Sequence, residues 1–455
     1  MGHRIDPGRE YRLLQGELDR TVNGAPDSPV LRKILQLLFT PEEAEFASRI
    51  PGRPCSLEEL SRKFGVAPDV MGERMDRMAL RGQVFDFEHD GRRYFALAPV
   101  VIGLFEFTFM RVRDDVPLGD LARLFEEYLD QENGRFAQTL FHGPTQIGRA
   151  LVHEPALPAD DATEILDWER ASHLVRSASA VGVSLCSCRH KQSHLGKACD
   201  QPQRCCLSLN YAAESLIRNG FAEPLGQDEA LRIIEDCRQR GLVQIGDNVQ
   251  RKVGYICNCC SCCCEMLRAV RTHNLSHAVV TSNWVAQIDA ARCQGCGKCA
   301  KACPVDALEM TVDGPVDSSP ADQLARSASP DDGRGVKPRP HAVCDAELCL
   351  GCGVCHAACK FGAIAMQSRP QRVYTPETVF DRIVTMAIER GKLADLFFDH
   401  PERLSHRALC RVVAVLEKSP LFKAAMAIKP LRSTFLNGVV AGAKRRAGPV
   451  AGIFE

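Results

Sequence analysis

Several absences bound this chain before any motif is read. Charge of neither sign is in excess, with 57 Lys and Arg against 57 Asp and Glu in 455 residues, so no overall field draws it to nucleic acid or a membrane surface. No run of 18 or more apolar residues occurs, which argues against a membrane-spanning helix. The stretch Met1 to Glu10 has no apolar h-region, so an export signal is not expected. Also missing are a Gly-x-Gly-x-x-Gly placed after a strand, a Walker loop and a His-Glu-x-x-His pair. Dinucleotide binding, ATP coupling and zinc proteolysis are therefore without support.

Cysteine, by contrast, is plentiful: 23 residues. A disulfide scaffold needs a small exported domain, whereas this length gives about three domains. With 45% hydrophobic and 25% charged residues the composition is that of an ordinary globular protein. The expectation is a cytoplasmic, reduced protein whose thiols are metal ligands.

The thiols are patterned. Cys293, Cys296, Cys299 and Cys303 follow C-x2-C-x2-C-x3-C, and Cys349, Cys352, Cys355 and Cys359 repeat it. Two-residue gaps let a short loop wrap three corners of a cube, with Gly295, Gly297, Gly351 and Gly353 permitting close backbone approach. A zinc ribbon usually uses two separated pairs of ligands, which is not this pattern. Sliding 288–310 onto 344–366 pairs Asp289 with Asp345 and Met310 with Met366. Each half then reads strand, ligand loop, short helix, strand. Cys344 falls on a strand position, matching Ile288, and is expected to be a small buried residue.

These runs resemble the bacterial two-cluster ferredoxin domain, over about 284–370. The resemblance implies two [4Fe-4S] clusters, with the last Cys of each run ligating the other cluster. Cluster 1 would take Cys293, Cys296, Cys299 and Cys359, and cluster 2 Cys349, Cys352, Cys355 and Cys303. Lys360 replaces the usual proline and removes no ligand.

The rest of the chain divides around this module into an expected α+β multi-domain protein. Residues 1–25 are polar and expected to be loosely ordered. In 26–111, Leu31, Ile34, Leu35, Leu37 and Leu38 form an apolar stripe. Ser56 and Glu59 give a capping signal, and Gly65 turns the chain into a second helix with Val70, Met75 and Met78. Two strands follow around His89-Asp90-Gly91. This order resembles a winged-helix domain. Residues 26–110 carry 11 basic against 13 acidic residues, too few for strong phosphate neutralisation, so packing or partner docking is expected and nucleic acid is not. Residues 112–283 read as a helical, cysteine-rich domain, with helices at Leu118–Leu129 and Thr163–Arg176. A Pro-, Ser- and Gly-rich insertion occupies 314–340, at little cost in closure entropy. Region 371–455 reads as helices at Pro376–Arg390, Leu404–Leu416 and Leu421–Leu431, expected to cover the ferredoxin module. The tail Lys444-Arg445-Arg446 is too short a basic cluster for strong lipid binding.

The middle domain holds a second field of thiols. Cys186, Cys188, Cys199 and either Cys205 or Cys206 form one expected ligand set, for a third cluster. Cys257, Cys259, Cys260, Cys262 and Cys263 form a possible fourth, with sharing between the two runs left open. Dense C-x-C and Cys-Cys pairs read as awkward for a tetrahedral zinc and compatible with iron–sulfur corners. Cys237 sits on the inward stripe of a helix with Ile233 and Ile234 and reads as core. A helix from Ser261 to Arg271 would set its positive end against the thiolates. His190 and His194 are weighed as ligands or proton donors against the commoner solvent-facing role. Together these motifs look like those of a family of multi-domain bacterial 4Fe-4S proteins, which implies electron transfer with a redox protein or oxidoreductase partner. Two other functions stay open: a reductase subunit with a catalytic atypical cluster in the middle domain, and a redox-sensing winged-helix regulator. The electron donor and acceptor, any substrate and the oligomeric state are not legible.

Overall fold

A computed structural model describes residues 8–158, 166–312, 340–397, 438–445 and 448–454. The insertion expected at 314–340 and the helices expected at 404–416 and 421–431 lie essentially outside them. The first departure from expectation comes at the start, where α1 (Arg9–Arg20) is a helix and not a loose tail. Tyr11, Leu14 and Leu18 fall at three- and four-residue spacing and are buried. α2 (Pro29–Leu38) begins where Ser28 Oγ accepts from Leu31 N at 3.0 Å, and α3 (Pro41–Ala47) opens on a capping box at Thr40. Then come β1 (Cys55–Ser56), α4 (Leu57–Phe64), α5 (Pro68–Leu80), β2 (Val84–His89) and β3 (Arg92–Leu97), in a sheet of order β1-β3-β2. Ser56 Oγ caps α4 by accepting from Glu59 N at 3.2 Å, and Gly65 ends it at φ 67°. α5 buries Met71, Met75 and Met78, while Val70 is 52% exposed, on the other face.

α6 (Phe105–Phe109) and α7 (Leu118–Leu140) lead into the middle domain. That domain is not chiefly helical. Its centre is a six-stranded antiparallel sheet: β4 (Gly148–Ala150), β5 (Val181–Leu185), β6 (Arg204–Leu209), β7 (Glu223–Pro224), β8 (Val243–Asp247) and β9 (Tyr255–Cys259), in the order β4-β8-β9-β6-β5-β7. The strands are short and the central ones are covered on both faces, so they lack the polar–apolar alternation that marks a strand. α8 (Ala171–Arg176), α9 (Ser187–His194), α10 (Asn210–Arg218), α11 (Gln227–Gln239) and α12 (Glu265–His273) surround the sheet. α8 is shorter than the helix expected at 163–176, of which residues 163–165 lie outside the described part. α12 starts after Cys264, four residues later than expected, because 261–263 form a turn.

The ferredoxin halves are β10 (Trp284–Ile288), α13 (Lys298–Ala302), β11 (Leu308–Thr311) and β12 (His341–Cys344), α14 (Val354–Ala358), β13 (Ile364–Ser368). β10 pairs with β13 and β11 with β12, so each half closes the other's sheet. The internal repeat is visible bond by bond. Asp289 Oδ1 accepts from Ala291 N and Arg292 N at 2.9 and 3.2 Å; Asp345 Oδ1 accepts from Glu347 N and Leu348 N at the same distances. Gly351, at φ 69°, passes so close to the segment entering β10 that a Cβ there would lie 2.2 Å from Ser282 Oγ and Trp284 O.

α15 (Val379–Glu389) and α16 (Leu393–Phe397) follow. Within the described residues α15 covers the middle sheet instead of the ferredoxin module: Arg382 pairs with Asp247 and donates to Ile147 O at 3.0 Å, and Glu389 accepts from Thr145 N at 2.9 Å. His153 ties the middle domain to the second ligand loop, donating its backbone N–H to Cys352 O at 2.9 Å. Its ring is 1% exposed and burial pushes its pKa down to about 4. A folded-state value below the unfolded one means that the unfolded chain takes up the proton first as pH falls. Stability should then drop between about pH 6.5 and 4, by up to about 3 kcal/mol at 1.36 kcal/mol per unit. Anaerobic denaturant unfolding of the wild type and of His153→Gln across this window should show the slope lost in the variant; equal slopes would rule out His153 as its source.

Candidate metal centres

The eight ferredoxin thiols are brought together in two groups. Cys293, Cys296, Cys299 and Cys359 line one small cavity, of about 10 Å³, and Cys303, Cys349, Cys352 and Cys355 line another, of about 20 Å³. Their surroundings differ. Cys296 is exposed and Cys293 half-buried, whereas Cys349, Cys352 and Cys355 are all buried. Arg369 fixes the second loop by donating to Cys349 O at 2.6 Å and Ala346 O at 3.0 Å. Cys344, on β12, lies half-buried beside Cys349, whose thiolate raises it and is itself drawn down to about 6 by the Cys344 thiol.

In the middle domain the fold regroups the thiols. Cys257 and Cys259 are two residues apart on β9 and so share a face. Cys206, on the neighbouring β6, faces them. Cys205, adjacent to it, points to the opposite face, where it meets Cys237 and accepts from Arg189 Nη1 at 2.9 Å. Strand alternation thus separates the two adjacent thiols. Cys186 caps α9, Cys188 lies in its first turn and Cys264 caps α12. Six sulfurs form a closed ring in the order Cys186, Cys188, Cys264, Cys259, Cys257, Cys206. Alternate members are pulled in opposite directions by their neighbours. Cys186, Cys264 and Cys257 (to about 6) are drawn down, and Cys188, Cys259 and Cys206 are raised.

Cys264 was in no expected ligand set. Its place directly before an amphipathic helix was the available signal, since an N-cap residue sits where backbone N–H groups are unpaired. Cys199, expected with Cys186 and Cys188, lies instead with Cys260, Cys262 and Cys263, all four sulfurs being within 4.8 Å of one another. His190 and His194 are not drawn into either group: His190 Nδ1 lies 2.8 Å from Phe109 O, and the two rings are 3.3 Å apart at Nε2.

Beside the ring opens a chamber of about 380 Å³, walled by Phe87, Phe107, Tyr211, Ile383 and Met386 as well as by the ring thiols. Among the buried polar groups that line it are Ser184 and Glu106. The Ser184 hydroxyl has no hydrogen-bond partner. The Glu106 carboxyl accepts from Gly103 N at 2.7 Å and is pushed up to about 8 by burial. Lys191 is fully buried and pairs with Glu126 and, at 2.5 Å, with Glu265, which lines the chamber next to Cys264. Arg268 joins Glu126 at 3.0 Å, so that α7, α9 and α12 are tied together beside the ring.

Residues 292–363 match the family described as 4Fe-4S dicluster domain, and this part of the chain is an iron–sulfur ferredoxin-type domain. No curated protein and no solved structure gives a match.

Removing one partner of a buried ion pair leaves an uncompensated charge and costs about 3–5 kcal/mol. Lys191→Met should therefore lower unfolding free energy by about 3 kcal/mol in anaerobic denaturant titration. A loss below about 1 kcal/mol, the value of a surface pair, would show the network to be solvated.

Proposed function

We propose that this chain is an electron-transfer protein carrying two [4Fe-4S] clusters in its ferredoxin-type domain and one more on the six-thiol ring. Cys293, Cys296, Cys299 and Cys359 would hold the first cluster, and Cys303, Cys349, Cys352 and Cys355 the second. The grouping of these thiols around two separate cavities carries the reading. Such clusters supply one-electron transfer at potentials set by charge, hydrogen bonds to sulfur and exposure. The chain's own part is to make those surroundings unequal. Cys296 opens the first group to solvent, where a redox partner docks, and Arg369 places a cation by the second. The His153–Cys352 backbone bond then joins the second group to the middle domain.

The ring donors fit the chemistry of a thiolate-bound cluster. Two helix N-termini and the buried Arg189 guanidinium offset negative charge there. Four irons per cubane give about twelve irons and twelve sulfides per chain. Anaerobically purified protein should show those totals, and the double variant Cys257→Ser/Cys264→Ser should keep about eight. Colourless protein without acid-labile sulfide would end the reading; a double variant still holding twelve irons would move the third cluster off the ring.

The chamber favours a second reading, in which the ring cluster reduces a bound organic molecule. It is far roomier than the two ferredoxin cavities, about 380 Å³ against 20 and 10 Å³. Its aromatic walls with a few buried polar groups are those of a small-molecule site. Glu106, held protonated at neutral pH, is placed to serve as a proton donor. The neutral dye N-phenyl-1-naphthylamine should bind once per chain and perturb the electron paramagnetic spectrum of the reduced protein. Ala212→Trp, which fills the chamber, should weaken binding at least ten-fold; unchanged binding or an unmoved spectrum would leave a wire and no reductase. The winged-helix regulator has little in its favour. Arg74 of α5 stacks 3.6 Å from the Phe46 ring, Arg77 is near Glu73 at 3.9 Å, and the neighbouring Arg81 pairs with Glu43 at 2.5 Å.

A further inference from the structure

The four thiols Cys199, Cys260, Cys262 and Cys263 differ from every other group in how close their sulfurs lie. Cys199 and Cys260 are 3.6 Å apart, Cys262 and Cys263 3.6 Å, and Cys199 and Cys263 3.8 Å. All four fall within 4.8 Å of one another, and among the described residues no other group of three or more Cys, His, Asp or Glu ligating atoms is so tight. The spacing has a direct chemical reading. Four sulfurs bound to one zinc at about 2.3 Å in a tetrahedron are about 3.8 Å from each other. On a cubane each thiolate binds a different iron, so the sulfurs are held apart by the iron–iron edge as well as by their own bonds. The ferredoxin thiols show that wider arrangement, standing around cavities instead of touching.

From this geometry we propose that Cys199, Cys260, Cys262 and Cys263 hold a single tetrahedral metal ion of the zinc class, and not an iron–sulfur cluster. A four-thiolate shell is the closed set of a structural site, with no position left for substrate. It selects a thiophilic ion such as Zn²⁺, or a lone iron. The local backbone supplies the set without strain on the ring. β9 ends at Cys259, residues 261–263 turn, and Cys264 N bonds Cys260 O at 3.2 Å before α12 begins. Cys260, Cys262 and Cys263 are presented by that turn, while Cys199 arrives from the loop after α9. A divalent ion with four thiolates carries two net negative charges, and the buried Arg189 guanidinium interacts with Cys260 to offset part of them. Cys262 is exposed, so the ion enters from solvent. The site clamps the loop after α9 to the turn between Cys259 and Cys264. Its role is to position two ring thiols, and it takes no electron itself.

Metal counting on the intact chain tests this independently of the iron content that tests the ferredoxin-type clusters. Anaerobically purified wild-type protein should hold one zinc per chain, and its zinc X-ray absorption edge should show four sulfurs at about 2.3 Å. Cys262→Ser, which alters the exposed ligand, should lose that zinc or show one oxygen in its shell, with at least eight irons retained. A lone iron with four sulfurs and no bridging sulfide, released by the same variant, also sustains the single-ion site. Four irons and four sulfides lost from Cys262→Ser with no zinc lost would place a cluster there and overturn the proposal. So would wild-type protein whose zinc is absent or bound by nitrogen or oxygen, with no such lone iron in its place. The wild-type absorption measurement decides even where the variant fails to fold.

Discussion

A single buried guanidinium stands between the two thiol groups of the middle domain, and much of the local architecture follows from its position. Arg189 is 0% exposed, donates to Cys205 Sγ and interacts with Cys186 on one side and Cys260 on the other. Collecting thiolates in a low-dielectric interior is costly unless each is paired or bound to a cation. An arginine suits this place because it stays charged and projects donors in several directions at once. Its Nη1 and Nη2 groups also donate to Pro202 O and Asn258 O, both at 2.6 Å, which anchors it near the ends of β6 and β9. Lys191, two residues on and on another side of α9, plays the corresponding part toward Glu126 and Glu265. In the segment 186–191 two thiols are followed by two cations, and the helix sorts them to different sides.

The ferredoxin-type domain is docked unsymmetrically, although its two halves repeat each other closely. One ligand loop is pressed against the middle domain through Ser282, His153 and Gly351; the other keeps Cys296 in solvent. Nothing in the repeat itself requires this. Two sites with the same ligands but different exposure and different neighbouring cations have different potentials, so a symmetric duplication becomes directional through what is packed on one side of it.

Much of this was legible from residues alone where the signal was local. The paired cysteine runs, the Ser56 cap, the Gly65 stop and the hairpin at His89-Asp90-Gly91 each depend on a few neighbouring side chains, and the elements they mark are present. The middle sheet is not legible because its four longest strands are only five or six residues long and largely buried, which leaves no clear alternation to read. The choice between Cys205 and Cys206 needed the register of β6: one residue's difference sends a side chain to the other face. The grouping of Cys199 was out of reach, since it depends on where the loop after α9 meets a turn some sixty residues later (61 for the Cys199–Cys260 pair). The polar composition of α1 masks its helical spacing, which Tyr11, Leu14 and Leu18 carry.

The run from Cys257 to Cys264 shows how one short segment serves two different sites. Its six cysteines are too close together for a uniform backbone to separate them. The chain changes conformation three times instead: strand through Cys259, turn through 261–263, helix from Glu265. The strand gives Cys257 and Cys259 a common face, the turn gathers Cys260, Cys262 and Cys263, and the helix cap returns Cys264 to the first group. Sorting therefore rests on backbone geometry, since all six thiols are chemically the same. The order of thiols in this run is consequently as important as their number: shifting the turn by one residue would exchange members between the two groups of sulfurs.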